Sequence, residues 1–146
     1  MGDETDLGSH LTPDLRRRLR ILADALPVLE SPDFVPGRWH DSEKRGDNVW
    51  SMPWYELSAA AEVVLTAVGK SGLMQPGFDW PTWARTPEAI ALRYDPDALA
   101  AATPDQLGKL LTALVREDRF NEGALGDTFE SGFMSSIARR AKVLAG

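Results

Sequence analysis

The chain has 146 residues, 43% of them hydrophobic, which suffices for one domain with an apolar core. Its net charge of −6 and pI near 4.9 disfavour nucleic-acid binding, which requires a basic surface, and binding to anionic membranes. The absence of cysteine excludes disulfides and thiolate metal sites, and two histidines are too few for a zinc site built from histidine.

The N-terminal residues 1–11 are acidic and lack an apolar run. We therefore expect a disordered tail rather than a signal peptide, followed by one helical domain over residues 12–146. The longest apolar stretch, residues 59–68, is far shorter than the ~20 residues that span a bilayer. A cytoplasmic protein without a membrane segment is expected.

Four helix starts are marked by a capping side chain followed by proline. These are Thr12–Pro13, Thr86–Pro87, Asp95–Pro96 and Thr103–Pro104. Proline tolerates the first helical position because its missing N–H would have no intrahelical partner there. Thr103 and Gln106 also have the spacing of a capping box.

Apolar residues recur at helical spacing in four longer segments. They predict helices over about residues 13–27, 54–69, 104–119 and 128–145. Shorter helices are predicted near residues 80–85, 87–92 and 96–101.

One region is aromatic and β-branched instead. Residues 34–40 and 48–52 flank the charged run 41–47, a pattern typical of a β-hairpin. Because a lone hairpin is marginal in water, we expect Trp39, Trp50 and Met52 to pack on the helices. The predicted fold class is mainly α (small α+β), a compact helical domain with one short β-hairpin.

The segment after the third long helix concentrates acidic residues around Arg119. Asp118 and Glu130 fall on the apolar stripes of their helices, where an ionised carboxylate needs a partner. Arg119 is therefore predicted to connect the two helices by contacting Glu122 or Glu130, while Asp127 and Glu130 form a capping box. Alternatively, Asp118, Glu122 and Glu130 form a hydrolase or transferase site around Arg119, with or without a divalent ion.

The first helix carries an arginine cluster, with Arg16, Arg17 and Arg20 predicted on one solvent face. Three interpretations stay open: a solvated surface, a contact with an acidic partner protein, and a weak nucleic-acid contact. Aromatic residues form another candidate set. Trp54, Tyr55 and Trp80 could line a pocket for a ligand or partner peptide, or serve as core.

Several stretches together resemble an uncharacterised bacterial domain family. They are M52-P-W-Y-E-L-S58, F78-D-W-P-T-W83, L110-L-T-A-L-V-R-E-D-R-F-N-E-G123 and F129-E-S-G132. The resemblance covers about Leu26 to Leu144 and implies a small cytoplasmic bacterial protein of unknown function, with no catalytic residues to assign. Family members often have cysteine where this chain has Asn121, so a thiol-based role is not expected.

No phosphate-loop, dinucleotide, zinc-hydrolase, serine-hydrolase or EF-hand motif is present in the sequence. We therefore predict a protein-binding or regulatory module with an unidentified protein partner, and neither a cofactor nor a metal. The acidic enzyme site and the arginine-helix nucleic-acid contact are the alternatives.

Overall fold

A computed structural model describes residues 11–146, so the expected tail of residues 1–11 lies almost wholly outside the described residues. The chain is mainly helical with a small β portion, which confirms the predicted fold class. The helices are α1 (Pro13–Ala23), α2 (Leu26–Leu29), α3 (Ala59–Ser71), α4 (Trp80–Trp83), α5 (Pro87–Tyr94), α6 (Pro96–Ala100), α7 (Pro104–Glu117), α8 (Ala124–Glu130) and α9 (Phe133–Ala145). The strands are β1 (Gly37–His40), β2 (Lys44–Gly46), β3 (Val49–Trp50) and β4 (Trp54–Leu57).

The predicted proline-marked helix starts are confirmed. The side chains of Thr12, Thr86, Asp95 and Thr103 each accept a hydrogen bond from a first-turn N–H. Thr103 and Gln106 form both bonds of the capping box. These local contacts satisfy N–H groups that a helix end leaves without partners.

The core lies where α1 packs on α3 and α9, with α7 beside them. Its largest fully buried apolar side chains come from these four helices: Leu19, Leu22, Val64, Val68, Leu107, Leu110, Leu111, Met134 and Ile137. Within residues 11–146, no helix is long and apolar enough to cross a membrane.

Three predicted helices differ from the structure. The helix expected over residues 13–27 ends at Ala23, and a separate short helix, α2, begins at Leu26. Residues 54–57 form strand β4, and α3 begins only at Ala59, where the Ser58 hydroxyl accepts from the N–H of Ala61. The expected last helix is divided into α8 and α9 because Gly132 adopts a left-handed conformation, with φ of 83°. The Asp127–Glu130 capping box is therefore absent, since both residues lie inside α8.

The hairpin also differs from the prediction in its pairing. Strand β1 pairs with β4, not with residues 48–52, in the register Trp39 with Tyr55 and His40 with Trp54. Strands β2 and β3 pair nearer the tip, and Asn48 turns the chain with φ of 62°. We call residues 35–57 the aromatic hairpin.

Candidate functional site on helix α8 and the aromatic hairpin

Asp118 caps the start of α8. The N-cap residue of this helix is Gly123, which has no side chain to accept a hydrogen bond, so the first N–H groups of α8 need acceptors from elsewhere. Asp118, at the end of α7, supplies one, since its Oδ1 accepts from the N–H of Leu125 at 3.0 Å. This candidate catalytic acid therefore bonds to backbone and connects two helices.

Glu122 holds the hairpin. Its Oε1 accepts from the N–H of Tyr55 at 2.8 Å, although the two residues are 67 positions apart. The N–H of Tyr55 is directed away from β1, so the Glu122 carboxylate covers the outer edge of β4. An open strand edge offers unpaired donors to other chains, and this contact removes one of them.

Two glycines at the start of α8, the N-cap Gly123 and Gly126 in its first turn, receive the inner rings of the hairpin. A Cβ on Gly123 would lie 2.5 Å from Cζ2 of Trp39, and one on Gly126 would lie 2.7 Å from Oη of Tyr55. Trp39 and Tyr55 themselves meet edge to face, with ring centroids 5.5 Å apart. The run N-E-G-A-L-G over residues 121–126 is thus the surface on which the hairpin docks.

Arg119 does not form the predicted contact between helices. Its side chain is exposed and makes no hydrogen bond or ion pair with the described residues, although its backbone N–H donates to the carbonyl of Arg116. Glu130 is exposed as well. The helix-wheel argument fails because α7 ends at Glu117, before the positions projected onto its stripe. The ion pair in this region joins Arg93 of α5 to Glu117 at the end of α7, with Nη2 of Arg93 2.9 Å from Oε2 of Glu117. The two residues are 24 positions apart, so no local sequence pattern indicates this pair.

The predicted acidic residues do not converge on one centre. Asp118 and Glu122 each accept from a backbone N–H, whereas Glu130 lies near the phenol of Tyr55. Burial raises the pKa of the Tyr55 phenol, and the charges of Glu130 and Asp127 raise it further. Among residues 11–146, no group of three histidine or carboxylate side chains is placed to hold a metal ion.

A polar groove of about 520 Å³ is lined by residues of α5, α7, α8 and α9 and of the connection between α7 and α8. It contains the Arg93–Glu117 ion pair, and Asn121 also lines it. Its hydroxyl groups donate to carbonyls of nearby backbone: Thr128 to Ala124, Ser131 to Thr128 and Ser136 to Gly132.

The aromatic candidates occupy different surfaces. Trp54 lies on the outer face of the hairpin and stacks on His40, with centroids 4.2 Å apart. His40 donates from Nε2 to Glu56 at 2.9 Å, and this bond lowers the pKa of the Glu56 carboxyl. Trp80 lies instead at the start of α4, partly buried, with its ring centroid 6.3 Å from that of Phe120.

The prediction that Trp39, Trp50 and Met52 pack on the helices is confirmed only for Trp39, whose ring contacts Gly123 while 54% of the residue stays exposed. Trp50 is 62% exposed and Met52 is 80% exposed, so the expectation that they pack on the helices is wrong. The physical reason is the β1–β4 register, which places the rings of Trp39 and Tyr55 against Gly123 and Gly126, whereas Trp50 and Met52 lie outside this pairing.

The arginine cluster of α1 is divided. Arg17 and Arg18 both bond to Asp14, and Arg18 also donates to the carbonyl of Gly72. Arg17 and Arg20 are exposed, in agreement with a shared solvent face, whereas Arg16 is partly buried, which corrects the expectation for that residue.

These observations define a small helical domain with a docked aromatic hairpin. Residues 15–146 match the model of a family of unknown function (DUF6508), and the chain belongs to that family. The resemblance to an uncharacterised domain family is thereby confirmed. No curated protein and no solved structure matches the chain.

Proposed function

We propose that this chain is a cytoplasmic protein-binding domain, and that an extended segment of its partner binds along the aromatic hairpin. The observation that carries the proposal is the concentration of exposed apolar side chains there. The large ones on the hairpin are Val35, Trp39, Val49, Trp50, Met52 and Trp54. Contiguous exposed apolar surface marks interaction sites, and tryptophan is enriched among the residues that dominate binding energy. The charged, cysteine-free composition supports the cytoplasmic location.

The backbone of β1 supports an extended partner. The N–H of Ser58 bonds to the carbonyl of Pro36, and hydrogen-bonded pairs alternate along an antiparallel ladder. The N–H and C=O groups of Gly37 and Trp39 therefore point away from β4. No other strand among the described residues pairs with this edge. An added strand would satisfy these groups, while exposed side chains beside it would give specificity.

The hairpin is held in place before any partner arrives. Glu122 bonds to β4, and the rings of Trp39 and Tyr55 rest on glycines of α8. A surface that is already ordered loses less conformational entropy on binding, so its contacts contribute more to affinity.

Random peptides displayed on phage and selected on the wild-type chain test the proposal. We expect the enriched peptides to bind Trp50→Ala and Met52→Ala variants about tenfold or more weakly, the effect of removing a dominant contact. Ile90→Ala is the control, because Ile90 is also exposed but lies on α5. Hydrogen exchange of the complex should show slower exchange at the Trp39 amide.

Three results would contradict this function. They are a selection that enriches no sequence, peptides whose affinity falls as much with Ile90→Ala as with the hairpin variants, and unchanged exchange at Trp39. Because Trp50 and Met52 are exposed, their truncation is expected to leave the fold intact, and thermal melts check this.

A further inference from the structure

A second recess lies between α6 and α9, away from the hairpin. It has a volume of about 280 Å³, close to the lower end of the roughly 300–1,000 Å³ typical of ligand pockets. Helix α6 supplies Pro96, Leu99 and Ala100, and α9 supplies Ser136, Arg139, Arg140 and Val143. We call it the α6–α9 groove.

Arg140 is the distinctive residue of this groove. It is partly buried and donates from Nε to the carbonyl of Ala102 at 2.8 Å. Neither of its Nη atoms has an acceptor among the described residues, and Arg140 forms no ion pair with them. Burial of the guanidinium lowers its pKa, since the charged form has lost part of its hydration.

Apart from Ser136, whose hydroxyl donates to the carbonyl of Gly132, the remaining lining is apolar or cationic. Arg139 lies beside Arg140, and its own pairing with Glu30, at 3.4 Å, is long and exposed. None of the described residues that line the groove is a carboxylate. The α6–α9 groove is thus a cationic recess with an apolar wall in a chain whose net charge is −6.

We propose that the α6–α9 groove binds a small amphipathic carboxylate, with the carboxylate on the Nη atoms of Arg140 and a short apolar group against Leu99 and Val143. Guanidinium and carboxylate match in geometry as well as charge, since two parallel hydrogen bonds can form. The small volume favours a short chain or single ring over a long acyl chain. This site is independent of the proposed partner surface on the hairpin.

Titration of the isotope-labelled full chain with hexanoate, followed by NMR, tests the assignment. We expect hexanoate to shift the amide resonances of α6 and α9 saturably. Hexanamide has the same apolar group without the charge, and it should bind about tenfold or more weakly, because bonds to charged groups are the stronger ones. Inorganic phosphate, which lacks the apolar group, should also bind more weakly than hexanoate.

Two variants locate the site. Arg140→Gln should weaken hexanoate binding at least about tenfold. Val143→Glu should do so without touching the core, because Val143 is 68% exposed and the new charge repels the ligand. Val63→Glu, at 55% exposure on α3, is the matched control and should bind like the wild type. The proposal is overturned if hexanoate causes no such shifts, if hexanamide or phosphate binds equally well, or if Val143→Glu binds like Val63→Glu.

Discussion

The docking of the hairpin on α8 can be measured with alanine at Gly123. Gly123 has φ of 87°, and a Cβ there would lie 2.5 Å from the Trp39 ring. The left-handed backbone costs a residue with a side chain about 1–2 kcal/mol. The ring must also move by roughly 1 Å to reach ordinary contact at about 3.5 Å. Overpacking in a well-packed core costs ~1–3 kcal/mol, but Trp39 is 54% exposed and its ring can shift partly into solvent, so the added cost should be near the lower end, about 1 kcal/mol. Gly123→Ala should therefore destabilise the fold by about 2–3 kcal/mol.

Gly132 provides the matched control. It also precedes a helix, with φ of 83°, but a Cβ there would meet no atom within 4 Å. Gly132→Ala should therefore show only the backbone cost, about 1–2 kcal/mol.

Urea unfolding of both variants, each also made with Trp39→Ala, isolates the ring contact. In the Trp39→Ala background, the excess cost of Gly123→Ala should disappear. Equal costs for Gly123→Ala and Gly132→Ala, or an excess that persists without the Trp39 ring, would refute the docking argument.

Three further predictions concern carboxylates and Arg119. Asp118→Ala should lower the free energy of unfolding by about 1 kcal/mol, as loss of a helix cap does. Glu130→Ala, the control, should change it by less than about 0.5 kcal/mol. Equal losses for the two variants would contradict the capping role of Asp118. Arg119→Ala should cost less than about 1 kcal/mol in a urea titration, and a larger loss would restore the predicted contact between helices. Glu88 accepts hydrogen bonds from Gln106 and Trp83, which lower the pKa of its carboxyl below the ordinary 4.5. The ionised Glu88 carboxylate therefore stabilises the fold above pH 4.5, and this contribution is lost as the pH falls through the lower folded pKa. The difference in unfolding free energy between wild type and Glu88→Gln should accordingly vanish in acid. A difference that stays constant with pH would contradict this role of Glu88.

Helix starts could be predicted because their determinants are local. Thr103 and Gln106 bond to each other's backbone within one turn, so the sequence pattern contains the whole interaction. The strand of residues 54–57 could not be predicted in this way. It runs into Ser58 and α3, and its strand conformation depends on pairing with β1, whose paired residues lie 14 to 20 positions earlier. Apolar periodicity alone does not distinguish such a short strand from the first turn of a helix.

The roles of the acidic residues were missed for a related reason. Asp118 bonds to Leu125 across a helix boundary, and Glu122 bonds to Tyr55 in a distant strand. A helix wheel describes positions only while the helix continues, and α7 ends before either residue. The sequence correctly indicated that Asp118 breaks local rules, because it stands at a helix C-terminus where negative charge is disfavoured. The hydrogen bond from the N–H of Leu125, at the start of α8, compensates for this unfavourable placement of the Asp118 charge.

The aromatic residues of the hairpin fall into two sets with different energetics. Trp39 and Tyr55 face α8, and together with Glu122 they account for how a hairpin that is marginal by itself stays attached. Trp50 and Met52 are 62% and 80% exposed, so most of their apolar surface gains none of the roughly 25 cal/mol per Å² that burial provides. Docking therefore gives no reason for large apolar residues at these two positions. Binding to another molecule would supply that burial, and the open edge of β1 lies on the same hairpin.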